Sequence, residues 1–315
     1  MNTQAQEILG QRTTKAAKIH QLHALGYTIK EIAEMVGSGE GYVYVVIHYR
    51  NNNPPRNNRT ASAMQFQPFN RKFGIEIEMF GVEKRKLLNA IRAEGIEIHD
   101  ENYNHATRPH WKLVSDSSIQ GSLGIEIVSP PLQGLEGLAQ VEKVCSALSR
   151  VGAKVNKSCG FHVHIDASTF TLDNWKNIYK NYILLEDVID SFMPISRRAS
   201  NNYYCKSLKN GAVRTLVSNI DNCNSVAEVD RLITRSDRYY KINYQAFLRH
   251  GTIEFRQHSG TVEYHKISNW VLFLHHLIAY SERNVVSGQD FESLSKFIPA
   301  ELSTYLQGRI NDLSA

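Results

Sequence analysis

The chain has 315 residues, 42% hydrophobic and 21% charged; it can fill a core, is not disordered by composition, and has no apolar run near the roughly 18 residues of a membrane span. Met1 to Arg12 lacks the apolar stretch of a secretory signal, and Cys145, Cys159, Cys205 and Cys223 form no CxxC pair. These features exclude a membrane protein, a disulfide scaffold and a zinc ribbon, and predict a reduced, cytoplasmic protein. The net charge of +5 lies in residues 1–72, which hold nine Lys/Arg against four Asp/Glu, an asymmetry that points to nucleic acid as a partner of the N-terminal part.

Ile19, Leu22 and Leu25 recur at helical spacing until Gly26 breaks the pattern. Ile29, Ile32, Ala33 and Val36 line one face of a second helix, with Thr28 and Glu31 as a capping box. After Gly39, the residues Tyr42, Val43, Val46 and Ile47 predict a third. This three-helix unit over 14–50 resembles a helix-turn-helix module whose recognition helix would start near Gly39. The other reading is a structural or protein-docking bundle, favoured by the lack of Lys or Arg in that stretch before Arg50. Residues 51–70 are rich in Asn and Pro and read as a linker.

From residue 71 to 315 the texture changes to that of one domain of short alternating strands separated by longer helices. Strands are predicted at 72–82, 111–116, 124–132, 159–168 and 251–259, and helices at Gly134–Val151, Leu172–Phe192, Ser225–Thr234 and Val262–Arg283. Ser225 and Glu228 give a second capping-box signal. Unequal helical insertions and no Gly-rich phosphate loop predict an α+β fold: a mostly antiparallel sheet with one polar face, backed by helices.

Side chains alternate along a strand. Glu76 and Glu78 oppose Ile75, Ile77 and Met79; Glu126 and Val128 oppose Ile125 and Ile127. His162, His164 and Asp166 oppose Phe161, Val163 and Ile165; Glu254, Arg256 and His258 oppose Ile253 and Phe255. A solvated face explains one such strand. Four of them share an inventory that suits hard divalent cations with an anion clamp.

The phrases GIEIE, GIEIVSPPL, NKSCGFHVHID and GTIEFRQHSGT, in this order over roughly 71–280, resemble the amidoligase family of carboxylate–amine ligases, which has a glutamine-synthetase-like catalytic domain. The resemblance implies ATP with Mg²⁺ (or Mn²⁺), and carboxylate and amine substrates such as an amino acid, a peptide or a polyamine. It implies that Glu76, His162 and Glu254 hold a metal near the γ-phosphate, and Glu78 and Glu126 one near the substrate carboxylate. His164 would face the phosphates or the acyl group, and Arg256 would clamp an anionic oxygen. It extends to Asp116 and Ser117, read as a substrate contact or as an Asx-turn. Arg238 and Lys241, with Asn243, are candidates for the ATP phosphates, or else solvated neighbours of core tyrosines. Thr252 and Cys159 depart from the glutamine synthetase pattern of Arg and Gly, which points away from glutamate as substrate. The competing classes are a metal-dependent hydrolase, for which Asp166 is followed by Ala167 rather than His, and a DNA-binding regulator with a ligand-sensing second domain. His275 and His276, inside an apolar helical stretch, read as packed residues.

Overall fold

Alternating apolar and ionisable residues fold into one seven-stranded sheet in this computed structural model, which describes residues 3–11, 15–51, 70–102 and 104–314. Four helices precede it: α1 (Thr3–Gly10), α2 (Lys15–Ala24), α3 (Ile29–Val36) and α4 (Glu40–Asn51). Then follow β1 (Phe73–Met79), α5 (Lys84–Arg92), β2 (Ile98–Asp100), β3 (Trp111–Ser115), β4 (Ile125–Val128), α6 (Gly134–Val151), β5 (Phe161–Asp166) and α7 (Leu172–Ser191). The chain continues with α8 (Val213–Asp221), α9 (Val226–Thr234), β6 (Ile242–Asn243), α10 (Gln245–His250), β7 (Thr252–Phe255), α11 (Tyr264–Ser281), α12 (Phe291–Ser295) and α13 (Ala300–Ser314).

The strand order is β2-β3-β4-β1-β5-β7-β6. Only β2 and β3 pair in parallel; the other neighbours are antiparallel. The five predicted strands are all present, and the predicted helices at 134–151, 172–192, 225–234 and 262–283 correspond to α6, α7, α9 and α11. β2 and β6 are too short to show alternation in sequence. Ile75, Ile77, Ile127, Phe161, Val163, Ile253 and Phe255 are buried in one continuous core with apolar residues of α6, α7 and α11. That leaves the other face of the sheet free for polar side chains. No helix among the described residues is long and apolar enough to cross a membrane.

The N-terminal helices have their own small core, in which Ala5 and Ile8 of α1 join Ile19, Leu22, Ile32, Ala33, Val43, Val46 and Ile47. The predicted capping box is present: Thr28 Oγ1 accepts from Glu31 N, and Glu31 Oε2 accepts from Thr28 N. The predicted linker lies, apart from its end residues, outside the described residues. α4 packs against α6 and α11. Gly39 N donates to Glu142 Oε1 at 2.5 Å, and Tyr44 is buried in the large core. A Cβ on Gly41 would stand 2.7 Å from Ser268 Oγ and 3.0 Å from Tyr264 Cε1. A DNA-reading helix presents its N-terminal residues to the bases. Here Gly39 and Gly41 at that end of α4 lie close against α6 and α11, while Glu40 is exposed, and this close approach is in keeping with the docking reading of the bundle.

Gly41→Val inserts three carbons where no space exists, and overpacking of this kind costs about 1–3 kcal/mol. We expect the substitution to release the N-terminal bundle, read as faster proteolysis within residues 1–72 while residues 73–314 remain resistant.

Candidate active site

Antiparallel register assembles the polar face. Glu76 lies opposite His162, Glu78 opposite Glu126, and His164 opposite Glu254, which in turn lies opposite Asn243. Four carboxylates and two imidazoles from β1, β4, β5 and β7 therefore meet without any loop having to reach across.

His162 is the centre. Its Nδ1 is 2.9 Å from Glu76 Oε2 and 3.7 Å from Glu254 Oε1, and its Nε2 is 3.7 Å from Glu78 Oε1. Glu76, His162 and Glu254 offer ligand atoms within 4.8 Å of one another, and so do Glu78, Glu126 and His162. The sequence reading assigns Glu76, His162 and Glu254 to one metal and Glu78 and Glu126 to another; each set lies together here, and His162, assigned only to the first, is within reach of both. Glu78 Oε2 accepts from Gly160 N at 2.6 Å. Position 160 is glycine because a Cβ there would meet His162 Nε2 at 2.7 Å. Glu254 accepts from Asn243 Nδ2 (2.6 Å) and from Arg256 Nη1 (2.5 Å). His164 stands 3.2 Å from Glu76 Oε1 through Nε2 and 3.0 Å from Thr252 Oγ1 through Nδ1.

The electrostatics follow from this crowding. Burial alone would raise Glu76, but the imidazoles of His162 and His164 outweigh it and hold its pKa well below the usual carboxylate value. Glu126 goes the other way: burial first, then the charges of Glu76, Glu78 and Asp116, push it well above that value. Glu254 is lowered, since Arg256 and His164 overcome its burial. Burial would lower His164, but Glu76 and then Glu254 raise it.

Beside this face lies a cavity of about 230 Å³, lined by Glu76, Glu126, His164, Thr252, His250 and Lys112 and walled by Asn104 to Thr107. Lys112 is buried, and its Nζ donates to Asn104 O (3.2 Å), Asn104 Oδ1 (2.9 Å) and Ala106 O (2.8 Å). Thr107 Oγ1 is 3.2 Å from His250 Nδ1. A buried ammonium thus holds the wall segment against the sheet. Sequence reasoning missed Lys112 and His250; the one visible signal was a Lys at an inward position of a predicted strand.

The remaining candidates divide. Asp116 is close enough to Glu126 to raise its pKa, and its Oδ1 also accepts from Ser118 N at 2.7 Å, so the Asx-turn is present. Ser117 is exposed on that turn. Asn156 and Ser158 brace the neighbouring loop: Asn156 Nδ2 donates to Gln120 O (2.5 Å) and Ser158 Oγ accepts from Gln120 N (2.9 Å). Arg238 is half-buried with its guanidinium 5.0 Å from the Tyr239 ring centroid. Lys241 requires a correction. It is fully buried, and its Nζ donates to Glu186 Oε1 (2.8 Å) and Asp190 Oδ1 (2.5 Å) of α7, so it has no face for a nucleotide. His258 is corrected as well. β7 ends at Phe255, and the His258 ring packs on Phe161 and Trp270, where burial pushes its pKa down to about 3. His275 and His276 are buried in α11, as read from the sequence.

Residues 69–278 match the model of the family described as "Putative amidoligase enzyme". A structure titled "Crystal structure of novel glutamine synthase homolog" aligns with 78% of this chain at 10% identity and a TM-score of 0.38, and the alignment spans 65% of that structure's own length. No curated protein matches the sequence. The family match covers two thirds of the chain and contains all four strands that carry the carboxylate–imidazole face, so the chain belongs to this amidoligase family.

Proposed function

We propose that this protein is an ATP- and Mg²⁺-dependent carboxylate–amine ligase that forms an amide or isopeptide bond through an acyl phosphate. The observation that carries the reading is the convergence of Glu76, Glu78, Glu126, His162 and Glu254 into two overlapping groups on one sheet face, within the family-matched segment. The donors are mostly carboxylate oxygens, the set preferred by Mg²⁺ and Mn²⁺ over zinc. The pressure of three neighbouring acidic groups on Glu126 is an excess of negative charge that a divalent cation fits. Glu76, His162 and Glu254 would hold one ion and Glu78 and Glu126 a second. When bound, these ions offset the charge that builds up between phosphate and carboxylate during phosphoryl transfer.

The chain's own groups supply the rest. Arg256, fixed by Glu254 and by Nε donation to Tyr204 O at 3.3 Å, presents its guanidinium to an anionic oxygen. His164, whose pKa is raised by Glu76 and Glu254 against its burial, lines the cavity and would face the phosphates or the acyl group. The wall held by Lys112 limits water around the activated acyl group, which would otherwise hydrolyse. Arg238 is kept as a contact for the outer phosphates, and Asp116 and Ser117 as the rim facing the substrate. The acid and amine are of amino-acid, peptide or polyamine type. Residues 71–315 form the catalytic unit, in a cytoplasmic protein, with residues 14–50 as a docking bundle.

Removal of one preorganised charge-stabilising group costs about 10²–10³ in kcat. We expect Glu76→Gln, His162→Ala and Glu254→Gln each to lower ATP-dependent ligation by at least that factor, and to combine far less than multiplicatively, because they act as one unit. The measurement is phosphate release with product mass spectrometry over mixtures of carboxylates and amines. Unchanged turnover in all three variants would remove the ligase reading.

The pH dependence has a definite sign. The raised folded pKa of Glu126 means that its contribution favours the metal-free fold at low pH and is lost as pH rises through that value. Glu76 is depressed, so its contribution is present above the ordinary carboxylate pKa and lost on acidification through the folded value. A cation needs Glu126 ionised, so at a pH below its raised pKa Mg²⁺ binding should release a proton, and the release should fade as pH rises through that value. Calorimetry in two buffers of different ionisation enthalpy should show that release, and Glu126→Gln should abolish it.

Lys241→Met tests the correction. It strips the buried partner from Glu186 and Asp190, and breaking a buried pair costs about 3–5 kcal/mol. The thermal midpoint should fall, without the loss of ATP binding in the folded fraction that removal of a direct phosphate contact would cause.

A further inference from the structure

The polar face continues to the β2 edge of the sheet. Glu97 precedes β2, His99 lies within it, and His110 immediately precedes β3. Trp111 N donates to Glu97 O at 3.1 Å, which brings these positions side by side. Each of the three residues offers a ligand atom within 4.8 Å of the others. His99 Nε2 is 3.0 Å from Glu97 Oε1, and the His99 and His110 ring centroids are 4.2 Å apart. Glu101 Oε1 stands 2.9 Å from His110 Nε2.

We propose that Glu97, His99 and His110 form a zinc site, with Glu101 as the carboxylate that orients His110. The donor set differs from that of the carboxylate row. Two imidazoles with one carboxylate select a borderline cation such as Zn²⁺, whereas oxygen-rich groups select Mg²⁺. With zinc bonds of about 2.0–2.1 Å, neighbouring tetrahedral ligands stand about 3.3 Å apart. The Glu97–His99 pair already has nearly that spacing, and His99, with 48% of its side chain exposed, is free to turn toward His110. A carboxylate behind a ligating imidazole fixes its tautomer and raises its basicity. The three protein ligands leave a fourth position for water.

The site has a structural consequence. His99 and His110 flank the segment whose Asn104–Thr107 wall lines the catalytic cavity, and Lys112, two residues after His110, holds that wall by its carbonyls. Zinc at the base of the segment stiffens the wall from its outer side. This inference does not depend on the ligase reading.

The test uses the full chain in excess Mg²⁺, as a competitor at the carboxylate row, with ZnCl₂ added and the protein then desalted and analysed for metal. One retained equivalent of zinc is expected. His99→Ala and His110→Ala should each lose it, while Glu76→Gln and Glu254→Gln keep it. Co²⁺ in place of zinc should give the visible bands of a tetrahedral site in the wild type and in the Glu76 variant, and none in the histidine variants. Hydrogen exchange of Asn104–Thr107 should slow on zinc addition in the wild type only. No retained zinc, or zinc retained equally by both histidine variants, would overturn the proposal, and so would loss of zinc in Glu76→Gln with His99→Ala unaffected.

Discussion

Like charges crowd one face of the central strands, and the rest of the fold is arranged around holding them there. Glu76, Glu78, Glu126 and Glu254 come from three neighbouring pairs of the sheet, at a spacing set by hydrogen-bonded strands rather than by side-chain preference. In a partly buried setting their repulsion is stronger than in water. Each carboxylate meets it differently. Glu76 has two imidazoles, Glu254 has Arg256 and Asn243, and Glu78 has the Gly160 amide. Glu126 has least help, and its raised pKa is the result. Such a face is unfavourable for folding and suited to cations, the exchange of stability for function that binding sites commonly show.

The opposite side of the sheet explains how the face stays in register. Tyr182, Glu186 and Asp190 of α7 form a buried polar network at the strand ends. Lys241, just before β6, joins Glu186 and Asp190; Gln257, just after β7, donates to Asp190 and accepts from Tyr182 Oη at 2.5 Å. Arg197 donates to the carbonyl of Cys159, just ahead of β5. The strands carrying Asn243 and Glu254 are thereby tied to α7, and the strand carrying His162 to Arg197 in the segment that follows it. Directional bonds can fix strand ends against sliding, which an apolar contact alone does less well.

The N-terminal bundle is joined to the same helical layer through α4. Two glycines, Gly39 and Gly41, allow its backbone to approach α6 and α11, and Tyr44 crosses from one core into the other. The positive charge of residues 1–72 therefore belongs to a segment whose would-be reading helix packs against α6 and α11.

The sequence by itself determined the strands and their faces, because a period of two is a local property and Glu-Ile-Glu or His-Val-His displays it within three residues. It also determined α6 and α7 almost to the residue, through Gly152 at one end and Thr171 at the other. The grouping of Glu76 with His162 and Glu254 was legible only through the order of the motifs, and the register of β1, β5 and β7 makes it a matter of distances. The tertiary structure alone decided the rest. Lys241 and Lys112 are both lysines beside strands, yet one is sealed between α7 carboxylates and the other is caged by loop carbonyls at the cavity. His258 follows the alternation of Glu254 and Arg256 in sequence but turns into the core, since the strand stops at Phe255. Nothing local distinguishes these cases. Each depends on which distant segment supplies the oxygen, the ring or the open space, and that is settled by packing between residues far apart along the chain.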